Sequence, residues 1–134
     1  MSVQSDIEAA LVTLLAASIP GLTAIAGATT IPTIEGKIRY ATVSKTGGTA
    51  RRLEYGQLDW SEDYAIVIYW NQTIARATRI TEWETVSAAL LADNFLGGAV
   101  AGLADAYLTE VLWREAHDAG IVAVSAVVTV ERIE

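Results

Sequence analysis

The chain has 134 residues, a formal net charge of -7 and an isoelectric point near 4.6. It has no Cys and one His, which excludes a disulfide scaffold, a thiol nucleophile, a Cys-ligated metal and a multi-His metal site within one chain. The acidic balance argues against general affinity for nucleic acid or anionic membranes, and 52% hydrophobic against 19% charged residues argues against disorder.

In chain order, residues 5–19 read as an amphipathic helix. Ser5 and Glu8 have capping-box spacing, and Ile7, Leu11, Leu14, Leu15 and Ile19 recur at helical spacing. Pro20-Gly21 stops it. Residues 22–36 read as a Thr-rich loop with a short strand near Ile31. Lys37 to Val43 and Arg51 to Tyr55 read as two strands of a hairpin, turned by the glycine-tipped segment Ser44 to Ala50. Tyr64 to Trp70 (YAIVIYW) is the strongest strand pattern, with Ile66, Ile68 and Trp70 on one face.

A second helix is expected from the Thr81/Glu84 capping spacing through Leu90 and Leu91, ending near Asp93-Asn94. Phe95 to Gly102 reads as a glycine-rich connection. Tyr107 to Arg114 is open between helix and strand; we take strand, turned by His117 to Gly120 into Ile121 to Arg132. There Val122, Val124, Ala126, Val128 and Val130 share a face. The expectation is one α+β domain over residues 1–134, an antiparallel sheet in the order α-β-β-β-α-β-β with two helices packed on one face.

No segment offers about 20 clean apolar residues for a spanning helix. No basic leader precedes Asp6 and Glu8, so synthesis in the cytoplasm is expected. Chemistry-bearing patterns are sparse. His117 with Glu115 or Asp118 is a candidate general base, but a histidine in a turn is ordinary. Glu82 and Glu84 fit the start of a helix better than a carboxylate pair. Gly97, Gly98 and Gly102 lack the Lys-Ser/Thr of a phosphate loop. No catalytic residue, metal site or cofactor is expected.

Charge is uneven. Residues 37–52 hold five of the nine basic side chains and no acid, and residues 53–63 hold Glu54, Asp59, Glu62 and Asp63 and no base. Such blocks suit head-to-tail contact between copies; equally, they suit two solvated strands that compensate each other. Trp60, inside the acidic segment, is a packing anchor or an interface residue.

The layout as a whole runs from an N-terminal helix (SDIEAALVTLLAASIPGL) through a basic hairpin, a central strand (DYAIVIYW) and a helix (TEWETVSAALL) to a closing hairpin ending VSAVVTVERIE. It resembles the tail terminator and minor tail (head–tail joining) proteins of long-tailed bacteriophages and phage-derived particles. The resemblance implies a structural virion protein and no enzyme. Six copies would form a ring on the head-proximal end of the tail tube, contacting the tail tube protein and the head–tail connector or neck proteins, with DNA passing through the lumen unbound. The surfaces expected to join copies or partners are Lys45, Arg51, Arg52, Asp59, Trp60, Glu62 and Asp63. The alternatives are a connector or neck protein, and a small ligand-binding domain with a pocket lined by Trp70 and Trp113. Nucleic-acid binding through Arg51 and Arg52 is the weakest reading.

Overall fold

A computed structural model describes residues 3–27, 39–91, 111, 113–118 and 120–133. Helix α1 (Val3–Ser18) places Ile7, Leu11 and Leu15 at four-residue spacing on one stripe, which Ile19 continues just past its end, and all four are fully buried. The helix stops at Pro20, and Gly21 turns the chain at φ +79°. Strand β1 (Thr23–Ala26) then runs parallel to the start of β2 (Arg39–Arg52). A short turn at Glu54–Gly56 leads into β3 (Leu58–Asn71). Helix α2 (Arg76–Leu91), β4 (Arg114–Asp118) and β5 (Ile121–Ile133) complete the order.

The five strands form one sheet in the order β1-β2-β3-β5-β4, antiparallel at every pairing except β1 with β2. The element order is the one expected, and both helices lie on one sheet face. That face presents Ala41 and Val43 from β2, Ile66, Ile68 and Trp70 from β3, and Val124 and Val128 from β5, packed with the α1 stripe and with Val86 and Leu90 of α2. Burying each large aliphatic side chain contributes about 1.5–3 kcal/mol, so this layer dominates stability. The opposite face carries a smaller cluster, Tyr40 and Tyr69 with Val67, Ile121 and Ala123.

Several expectations are corrected. Segments 37–43 and 51–55 do not form two strands: β2 runs unbroken from Arg39 to Arg52, and Ser44 to Ala50 is strand interior. The glycines there serve a register shift between Lys45 and Gly47, and a Cβ on Gly48 would stand 2.9 Å from the Ser61 carbonyl oxygen. The turn lies instead at Leu53 to Gln57, and the acidic segment beyond it is the first half of β3. Ser5 lies inside α1 rather than at its start. Helix α2 begins at Arg76, five residues before the expected cap: Asn71 Oδ1 accepts the Thr73 N–H at 3.0 Å and sets up the turn into the helix. His117 lies in β4, not in a turn. The expected strand near Ile31, the Phe95 to Gly102 connection and residues 107–110 and 112 of the ambiguous segment lie outside the described residues.

Candidate interaction surface

β1 pairs with β2 only as far as Val43, and β4 pairs with β5 only as far as Ser125. Beyond those points β2, β3 and β5 continue together, with register pairs Gly47 with Asp63, Arg51 with Asp59, and Asp59 with Ile133. Among the described residues this leaves β2, β3 and β5 as a three-stranded arm with neither β1 nor β4 beside it. All seven residues expected at an interface lie on the arm, from Lys45, Arg51 and Arg52 on β2 to Asp59, Trp60, Glu62 and Asp63 on β3.

The arm joins most of those charges within the chain. Glu62 is only 1% exposed, and its Oε2 lies 2.9 Å from Lys45 Nζ and accepts the Tyr64 hydroxyl at 3.2 Å. A carboxylate taken out of water needs such partners. Glu8 of α1 accepts the backbone N–H of Lys45 at 3.1 Å and ties the helix to the base of the arm. Arg51 Nη2 meets Asp59 Oδ2 at 2.7 Å across the strands, in the open. Asp63 Oδ1 accepts the Thr129 hydroxyl at 2.7 Å. Arg52 is exposed and forms no ion pair among the described residues. Trp60 is partly buried on the helix side of the arm, level with Ala50.

The tip of the arm is a tight turn. Leu53 N–H donates to the Gln57 carbonyl at 2.8 Å and closes the loop. Tyr55 sits at φ 62°, ψ 26°, a left-handed conformation uncommon for a residue with a side chain, and Gly56 follows at φ +76°. Its ring is 96% exposed. The local signal for it is Tyr55-Gly56 between two charged strands.

Two other polar clusters are structural straps. Arg39 Nε donates to both oxygens of Glu82, at 2.7 and 3.0 Å, and Trp70 Nε1 donates to the same carboxylate at 2.8 Å. The hydrogen bond to Glu82 raises the Arg39 pKa, against the opposing effect of burial. Glu82 therefore lies mid-helix and fastens α2 to β2 and β3, rather than greeting a helix dipole. Trp70 and Trp83 meet edge to face, centroids 6.2 Å apart. Trp113 Nε1 donates to Ser87 Oγ. The two indoles proposed to line a pocket thus spend their N–H groups on α2. At the far edge, His117 Nε2 lies 3.0 Å from Glu115 Oε1, with Arg79 Nη2 at 3.8 Å and Arg76 Nη2 at 3.9 Å. Three side chains converge on one carboxylate; His117 shares β4 with Glu115, and the two arginines are the links from α2 to β4. On the opposite sheet face, burial raises the Tyr69 pKa, partly offset by its hydrogen bond with Thr42.

Among the described residues no group of three or more His, Asp and Glu side chains could hold a metal ion, and no helix is long and apolar enough to cross a membrane.

No protein-family model matches the chain, and no curated protein does. Among solved structures it is similar to a chain of the "Virion of native gene transfer agent (GTA) particle". The TM-score is 0.60 at 17% identity, and the match covers 99% of this chain and 98% of that one. The likeness is one of fold, end to end, across both chains.

Proposed function

We propose that the chain is a structural protein of a phage-like virion, a tail terminator that forms a hexameric ring at the head-proximal end of a tail tube. The observation that carries this reading is the end-to-end likeness to a component of a gene transfer agent virion, with almost nothing left over on either chain. The arm supports it, since a ring subunit needs a surface that reaches its neighbour or the next layer. The ring would contact copies of itself, the tail tube protein and the connector or neck proteins. A protein of net charge -7 would let DNA slide through the lumen, because phosphate neutralisation by Lys and Arg is what produces non-specific grip.

Charge pairing within the arm narrows the interface residues. Lys45 and Glu62 satisfy each other inside one chain, so the exposed members, Arg52 and the Arg51–Asp59 pair, are the ones left to face a partner. Native mass spectrometry over a concentration series, with and without tail tubes, tests the reading. A hexamer in either condition is the expected result. A strict dimer in both would sink it. Arg52→Glu should lower the hexamer fraction while leaving the circular dichroism spectrum unchanged.

A further inference from the structure

Four large apolar side chains stand exposed among the described residues: Ile25, Tyr55, Leu91 and Val127. Three of them fall into two unlike groups. Tyr55, alone at the tip of the arm, is 96% exposed and held in a left-handed backbone conformation. Gly or Asn would occupy that conformation with less strain, so a solvated loop has no need of a tyrosine there. The arm's cross-strand pairs and the closed Leu53–Gln57 loop hold the ring outward in advance of any contact.

The second group lies on the sheet face away from the helices. Val127 is 56% exposed and is paired in register with Ala65, which offers only a methyl group. Val67 lies two residues along the same strand on the same face, and Ile25, 39% exposed, lies beyond it across β2. The result is a shallow apolar seat with a low floor at Ala65. Asp63 adjoins the seat on the same strand and face. Beside the knob stand Glu54 and Arg52, and Arg52, which forms no ion pair among the described residues, is the charge complementary to Asp63. Tyr55 cannot reach the seat of its own chain: from Leu58 to Ala65 alone the strand spans roughly 23 Å.

We propose that Tyr55 seats on the Ala65–Val67–Val127 patch of a second copy, with Arg52 of one chain facing Asp63 of the other. Knob and seat are different surfaces, so the contact is heterologous and closes into a ring when the rotation between copies permits. This deepens the ring reading and rests on it.

The absence of native cysteine gives a direct test. Tyr55→Cys and Val127→Cys proteins are made separately, mixed in equal amounts and oxidised mildly. Mixed disulfide dimers should exceed each homodimer several-fold, and a chain carrying both substitutions should give a ladder of covalent oligomers. A mixture with no excess of the mixed species overturns the contact. In parallel, Tyr55→Gly should raise the melting temperature of the unassembled chain by about 3 °C by relieving the backbone, and cut the assembled fraction at least tenfold, while Tyr55→Phe retains assembly. Hexamers whose yield ignores Tyr55→Gly would overturn the knob and leave the ring standing. A wild-type chain that stays monomeric at every concentration, tubes present, overturns both.

Discussion

The same three strands, β2, β3 and β5, run through two regions that are held together differently. Near α1 and α2 the sheet is half of a two-layer sandwich, and its inward residues, from Ile7 to Trp70 to Val128, are sealed from water. Along the arm Glu62 and Val130 are still buried on the helix side, but the outer half of β2 is exposed from Thr46 to Arg52. Burial stabilises the first region. Towards the tip of the second, backbone ladders and cross-strand pairs, each contributing about 0.2–1 kcal/mol, carry more of the stability. The chain tolerates change unevenly: the helix-backed half specifies the fold, and the arm's outer surface is available for contact.

Substitutions at three positions test that contrast. Trp70→Ala empties a fully buried site and removes an edge-to-face partner, and should cost about 3–5 kcal/mol in urea unfolding followed by circular dichroism. Glu82→Ala leaves the Arg39 guanidinium and the Trp70 indole N–H without their acceptor. A loss of about 2 kcal/mol is expected, and Glu82→Gln, which keeps an acceptor for Trp70, should lose less. Arg51→Ala on the arm breaks a pair whose arginine side chain is 74% exposed. Its effect on monomer stability should stay below about 1 kcal/mol. If Arg51→Ala proved as costly as Glu82→Ala, the two regions would not differ as described.

Much of the helix-backed half was legible because period alone identifies it. Ile66, Ile68 and Trp70, and Val122 through Val130, alternate cleanly, and the α1 stripe repeats every four residues. The errors came from local signals that tertiary context overrode. Gly47-Gly48 reads as a turn, but here the missing Cβ permits the close approach of Ser61 across a register shift. Thr81 and Glu84 have the spacing of a cap, yet they lie inside a helix already started by the Asn71 turn, and Thr81 bonds back to the Ala77 carbonyl. The charge blocks of the arm were visible as composition; which acid meets which base depends on strand register, which composition does not carry. The Glu82 strap and the fully exposed Tyr55 were invisible for the same reason. One joins residues more than forty positions apart, and the other follows from where the turn falls.

The position of β5 has a consequence for how the chain is made. It pairs with β3 along thirteen registers, from Asn71–Ile121 to Asp59–Ile133, yet leaves the ribosome after every other strand of the sheet. Until it emerges, β3 presents the full inner edge of its YAIVIYW segment with no permanent neighbour, a template that a second nascent chain could occupy. The β2–β3 hairpin can form early from local contacts, but the sheet closes only across α2 and β4, by pairing of high contact order. Folding is therefore expected to be limited by this last insertion, and premature self-association during synthesis to be its characteristic failure.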